Sequence, residues 1–356
     1  MGLLGLLLSV LLVVSSLSEF DWNPTLFVGF GEEALLTTQY AEERLEDELF
    51  LRARQGHDGK FFFVQANDPW LLDASANAAI LDYPIYRSQR MLYPALAGGL
   101  GFLGPQGVVW GLLVVNVLAM TLGTWAVARI AVHLGGSALW GLAFVGNLGL
   151  LYALTSDTAD IVAGALAFGA LVFLYRDRVP FAAALLAAAV LTREVMIVTA
   201  IGVAVWLLVQ RRRRAAVLVL GIPSLAMAAW HIYMRTRLNP EESSPDALSA
   251  PFVGLARAVP EWLDDTLVSL TGAVVLALIV IYLIRWVRSK SLLGWGFVGF
   301  VPLAAVLSGR VWLEIFDYTR ALAPFLTAAV LLIFVEPRVT RRSRNRPRSP
   351  SESSVT

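Results

Sequence analysis

Gly56-His57-Asp58-Gly59 is a short polar turn, followed at once by Lys60, the aromatic run Phe61 to Phe63, and then Asp68-Pro69. Glycines flanking such a turn let it present the Asp58 carboxylate without steric cover, and an open carboxylate can accept a proton. Further ionisable residues interrupt apolar sequence elsewhere: Arg87 and Arg90, Asp157 and Asp160, Arg193-Glu194, and Arg310 with Glu314, Asp317, Tyr318 and Arg320. A charge set into apolar sequence costs a few kcal/mol unless it is paired or faces a wet cavity. Asp160, Arg193, Glu194 and Arg320 are the clearest cases. Arginine is suited to bidentate binding of phosphate.

The elements that must position these residues are membrane helices. The 356 residues are 57% hydrophobic and 15% charged, whereas soluble domains are about 25% charged. Cysteine is absent, which excludes disulfides, thiolate metal sites and cysteine nucleophiles. His57, His133 and His231 are too scattered for a histidine-rich zinc site. The sequence carries no P-loop, no dinucleotide fingerprint and no HExxH.

In chain order, residues 1–18 read as an uncleaved signal-anchor span. Residues 19–106 form a long first external loop with interfacial helices. Within it, Gly31 to Arg54 mixes acidic residues with leucines in a way that suits a surface helix beside the bilayer. Met91 to Leu103 is apolar but short, with Pro94 and several glycines. Residues 107–336 make a multi-span bundle with spans near 107–131, 138–155, 159–175, 180–192, 195–209, 215–233, 266–285, 292–308 and 320–336. Residues 337–356 are an Arg- and Ser-rich tail, expected to be disordered and able to bind anionic lipid headgroups.

Basic residues in short loops orient the spans. Arg176/Arg178, Arg211 to Arg214, Arg285/Arg288/Lys290 and the tail all fall on one side when spans are counted back from the C-terminus. The result is an all-α polytopic protein of about ten transmembrane helices in a plasma (inner) membrane. Both termini are cytoplasmic and the ionisable cluster is extracytoplasmic. Residues 91–104 then do not cross.

The string GHDGKFFFVQANDP resembles the first-external-loop motif of bacterial GT-C superfamily glycosyltransferases. Tyr86-Arg87-Ser88-Gln89-Arg90-Met91-Leu92-Tyr93-Pro94, Leu191-Thr192-Arg193-Glu194, and Asp317-Tyr318-Thr319-Arg320 with Pro324 are similar to three later elements of that family, in the same order. The sequence departs from the family pattern at His57, where tyrosine is frequent, and at Lys60, where glutamine is. The resemblance implies a GT-C-like fold and inverting transfer of a sugar from a polyprenyl-phosphate donor to a glycan, lipid or protein acceptor. Asp58 would be the catalytic base. Asp68, Arg87, Arg90, Asp160, Arg193, Glu194, Arg310, Tyr318 and Arg320 would bind substrate, with Arg193, Arg320 and Arg310 toward the donor phosphate. No cofactor is firmly implied, and a divalent metal stays open. Membrane lipids are expected partners and nucleic acid is not.

Each residue also has a plainer reading. Asp58-Gly59 alone is a turn, Asp68-Pro69 a helix starter, Arg87 and Arg90 headgroup anchors, and Asp157 and Asp160 helix N-terminal charges. Two other functions compete: a flippase of lipid-linked sugars, and a non-catalytic assembly protein. A flippase requires polar residues at mid-membrane depth, where this chain has little beyond Asn116 and Asn147.

Overall fold

The computed structural model describes residues 1–46, 48–238 and 247–336. All regular structure among them is helical, with two isolated bridges, Gly31 to Arg52 and Leu248 to Leu307. The expected disordered tail at 337–356 lies outside the described residues.

Four helices are long and apolar enough to cross a membrane: α1 (Gly2–Glu19), Pro105–His133, Arg213–Arg237 and Thr266–Arg288. A fifth crossing is made if the bent pair Ile315–Ala321 and Ala323–Phe334 counts as one span. Ten spans are therefore not seen as ten long helices. Four further apolar helical segments fall between 10 and 17 residues. At 1.5 Å per residue, these are shorter than a hydrocarbon core of about 30 Å. The class defined is an all-helical membrane protein.

Between α1 and the first long internal helix, the chain makes short helices. They include α2 (Leu35–Glu42), α3 (Gly59–Asn67), α4 (Pro84–Ser88) and α5 (Leu92–Gly98). The surface helix expected over Gly31 to Arg54 is realised only as α2. After it the chain turns back, and Arg52 N donates to Phe30 O at 2.8 Å. The seven-residue α5 is about 10 Å long, well short of a hydrocarbon core of about 30 Å.

The aromatic run is buried: Phe62 and Phe63 are 4% and 0% exposed. Phe63 packs edge-on against Phe30, and Phe62 against Tyr93 of α5. Burying a large apolar side chain is worth about 1.5–3 kcal/mol, so this run clamps the turn to the bundle.

The central helix is α6 (Pro105–His133), 61% buried over its most apolar window, whereas α1 is 22% buried and leans on it from outside. Gly5 of α1 meets the Thr124 side chain so closely that a Cβ would come within 2.8 Å. The start of α1 thus lies beside the later half of α6. The expected span 138–155 breaks at Gly146-Asn147 into short pieces ending in α7 (Leu148–Leu154). Asn147 caps α7 by accepting from Gly149 N, and donates to Ala323 O and Thr327 Oγ1.

Then come α8 (Asp160–Tyr175), α9 (Val179–Thr192) and α10 (Ile197–Val209). Arg193 is extended (φ −152°, ψ 116°) and breaks α9 from α10. An ion pair between Arg212 and Asp177 ties the end of α10 to the start of α9, so the two short helices form a hairpin. The long α11 (Arg213–Arg237) packs against both of them.

The last third holds α12 (Thr266–Arg288), then α13 (Leu292–Phe297) and α14 (Phe300–Val306), which divide the expected span 292–308. Next come α15 (Ile315–Ala321) and α16 (Ala323–Phe334), bent by 65° about Leu322, with Pro324 in the first turn of α16. Proline favours the first turn of a helix, and that helps set the break.

Candidate active site

Asp58 occupies the N-cap position of α3, yet its side chain accepts no hydrogen bond from the helix's own amides. It turns instead to two arginines from distant parts of the chain. Arg87 Nη1 on α4 donates to Asp58 Oδ1 at 3.0 Å, and Arg320 Nη2 on α15 donates to Oδ2 at 3.0 Å. Hydrogen bonds to charged groups contribute about 1.5–3 kcal/mol, so these two outweigh a typical cap of about 1 kcal/mol.

The turn reaches this place because its glycines let backbones touch. Gly56 has φ +64°, and a Cβ on it would lie 2.1 Å from Gly29 O. A Cβ on Gly59 would lie 2.6 Å from both Ser156 O and Val28 O. The glycines therefore seat the turn against the α7–α8 connection more than they uncover it.

From Asp58 the network spreads. Arg87 makes a fork to Asp82 through Nε (2.8 Å) and Nη2 (2.9 Å) and lies over the Phe61 ring. Arg320 Nη2 also donates to Asp317 Oδ1 at 3.3 Å, and its Nε faces Asp160 Oδ2 at 3.7 Å. Asp160 pairs in turn with Arg193 and accepts from Thr158 Oγ1. Arg90 grips Glu194 through Nε and Nη2 (3.2 and 3.1 Å) and the Tyr86 hydroxyl at 2.8 Å. Asp58, Arg193 and Arg320 thus meet in one cluster, with Asp160 as the link between the last two.

The electrostatics follow from these contacts. Burial pushes the Asp58 carboxyl up, but Arg320, Arg87 and Arg90 more than reverse this and hold it well below the usual carboxylate range. Burial likewise raises Glu194, and Arg90 brings it down to about 2. His57 stacks on Phe316 at 5.2 Å, and burial, with Arg52 nearby, lowers it to about 4. It is neutral at pH 7.

Three expected site residues do not join the cluster. Asp68 organises its own loop: its oxygens accept from Leu72 N, Asp73 N and Asn77 Nδ2. Asp68 ends α3 and braces the loop that follows, and the next helix, Ala74–Ile80, is capped by Asp73 rather than by the Asp-Pro pair. Tyr318 is fully buried among Trp262 and Trp312 and donates to Val268 O at 3.3 Å. It is core. Arg310 is exposed, near Asp317 but without an ion pair to it within 4.0 Å.

Conversely, Asp82, Tyr86, Phe316 and Asp317 belong to the site as partners of its arginines. The available signals were local: Asp82 lies five residues before Arg87, and Asp317 lies three before Arg320 on one helix face.

Below the cluster lies a separate polar chain. Tyr93 OH donates to Leu112 O at 3.1 Å and Asn116 Nδ2 donates to Tyr93 OH at 2.8 Å. Asn116 Oδ1 and both oxygens of the fully buried Asp157 have no hydrogen-bond partner. Burial pushes the Asp157 carboxyl well up, with Asn116 opposing only in part. An apolar cavity of about 730 Å³ between residues 137–148, α12 and α16 has no ionisable residue in its lining.

Among the described residues no group of three or more metal-ligating side chains occurs. Carboxylates already neutralised by arginines make a poor cation site, and the arginine pair around Asp58 is built to hold an anion. Comparison with family models, with curated proteins and with solved structures finds no match.

Proposed function

We propose that this protein is a GT-C-like membrane glycosyltransferase that moves a sugar from a polyprenyl-phosphate donor to an acceptor hydroxyl at the extracytoplasmic surface. The observation that carries the reading is the bridging of Asp58 by Arg87 and Arg320, a carboxylate and a two-arginine anion clamp sharing one point. In the reaction, the acceptor oxygen attacks the anomeric carbon and its proton passes to Asp58. The bond from that carbon to the phosphate oxygen breaks, and the phosphate leaves with the electron pair, so configuration inverts. Arg320 and Arg87 meet the charge developing on the leaving phosphate. Asp82, Asp160 and Asp317 hold those guanidinium groups in place. Arg193 acts through Asp160, and the Arg90 to Glu194 pair fixes the α9–α10 turn.

The flippase reading is weaker because Asn116 and Asn147 bond within the bundle. The test is transfer of sugar from a lipid-phosphate donor by purified wild type and Asp58→Asn. General-base removal is expected to lower the rate by about 10²–10⁴-fold. Wild-type rates from a folded Asp58→Asn protein would remove Asp58 from the chemistry.

A further inference from the structure

Asp58 in the structure is a poor base. Two guanidinium groups hold its oxygens, one each, and a carboxylate so neutralised has little affinity for a proton. The arginines are equally compromised as ligands, since their facing N–H groups are already taken. Base and clamp cancel each other.

We propose that Asp58 occupies the anion position of the Arg87–Arg320 clamp in the donor-free protein, and that an entering phosphate ester exchanges with it and frees it as the base. The inference rests on the proposed donor chemistry for its function, though the exchange itself needs only a phosphate.

Four features support the exchange. Carboxylate and phosphate oxygens are recognised by arginine through the same donor geometry, so two phosphate oxygens can bridge Arg87 and Arg320 as Asp58 now does. A phosphodiester brings one negative charge to the clamp as the carboxylate withdraws from it, so the two guanidinium groups still hold a single negative charge between them. The clamp survives the departure of Asp58, because Arg87 keeps its fork to Asp82 and Arg320 stays beside Asp160 and Asp317. Asp58 is also the most exposed of the three, with 26% of its side chain accessible against 14% for Arg87 and 10% for Arg320.

The displaced carboxylate has somewhere to go. As the N-cap residue of α3, with no cap bond of its own, it can turn back toward that helix's first turn, where an Asp at this position usually accepts from an amide. Donor binding and base activation thereby become one event, and the acceptor meets an active base only when the donor is already in place.

The experiment measures binding of inorganic phosphate and of farnesyl phosphate to the purified protein in detergent. Removing the internal anion is expected to tighten binding: Asp58→Asn should bind at least about tenfold better than wild type, about 1.4 kcal/mol. Adding Arg320→Gln should abolish the gain. A tighter hold on farnesyl phosphate than on inorganic phosphate identifies a lipid-borne ligand, and equal gains identify free phosphate as the ligand of the same clamp. No gain with either probe, in a variant whose thermal unfolding shows it folded, overturns the exchange.

If Asp58→Asn does not fold, wild type serves. Phosphate should then produce a carboxylate band in the difference infrared spectrum that Arg320→Gln lacks, and an absent band in wild type is equally fatal. Tight phosphate binding by Asp58→Asn without any sugar transfer by wild type would sink the glycosyltransferase reading and leave the exchange standing. Transfer by wild type without the gain would do the reverse.

Discussion

Asp157 is the residue whose surroundings are hardest to reconcile with a charge. It is fully buried, has φ +43°, and neither carboxylate oxygen has a partner. A neutral carboxylic acid removes the difficulty, since its O–H can serve the orphaned Asn116 Oδ1. A folded-state pKa raised above the unfolded value of about 3.9 means that the folded protein holds the extra proton. The associated stability is fully present below about pH 4 and is lost as pH rises through the folded value. Asp157→Asn keeps a donor and cannot ionise. It should therefore unfold at a higher temperature than wild type at pH 8, by about 2 °C or more, with the gap closing toward pH 4. Thermal unfolding of the detergent-solubilised proteins reads this directly, and a variant less stable at pH 8 counts against a neutral Asp157. At this scale the sequence disclosed the actors better than their partners. Asp160, Arg193, Glu194 and Arg320 stood out because charge in apolar sequence must be compensated, and Asp58 because it sits in a glycine-flanked polar turn. What each one touches depends on pairings as remote as Asp58 with Arg320, 262 positions apart. Asp68 and Tyr318 misled because a turn carboxylate and a core tyrosine look the same in sequence as ligands do.

Elements place Arg320 through a backbone contact on α7. A Cβ on Gly149 would come within 2.2 Å of Thr319 O and 2.7 Å of Arg320 N, so α15 rests directly on the main chain of α7. Gly149→Ala must push α15 away, with a destabilisation of about 1–3 kcal/mol from overpacking. The transfer rate should fall at least about tenfold, because a misplacement of 1 Å can cost about 10²-fold. Paired measurements of thermal unfolding and transfer check this; a variant with lowered stability and wild-type transfer would show that Arg320 tolerates the shift. Hydropathy revealed where apolar segments lie but not where they break. Averaging over a window of about 19 residues runs smoothly through Gly146-Asn147, Gly299 and Leu322. The structure interrupts its helices at each of these. Pro324, quoted in the late motif, was a local sign of the last break.

Helix α8 carries the Asp58 cluster at one end, through Asp160. At the other, His133 packs on Tyr175, Arg212 pairs with Asp177, and Trp206 donates to Lys290 O. With no native cysteine, single introduced cysteines report on sidedness without background. Under the proposed orientation, Leu72→Cys, at an exposed position in the first loop, should react in intact cells with a membrane-impermeant maleimide. Arg214→Cys should react only after permeabilisation. Labelling of both in intact cells, or of Arg214→Cys alone, would refute the orientation. The bond between Asp58 and Arg320 also carries a consequence for biosynthesis. At about 5–20 residues per second, the ribosome needs roughly ten seconds to a minute to lengthen the chain from one partner to the other, 262 positions on. Throughout that interval the first loop waits with half of its bridge missing. The site is thus among the last features of the molecule to be completed, and a chain released before residue 320 retains the acid without its C-terminal arginine.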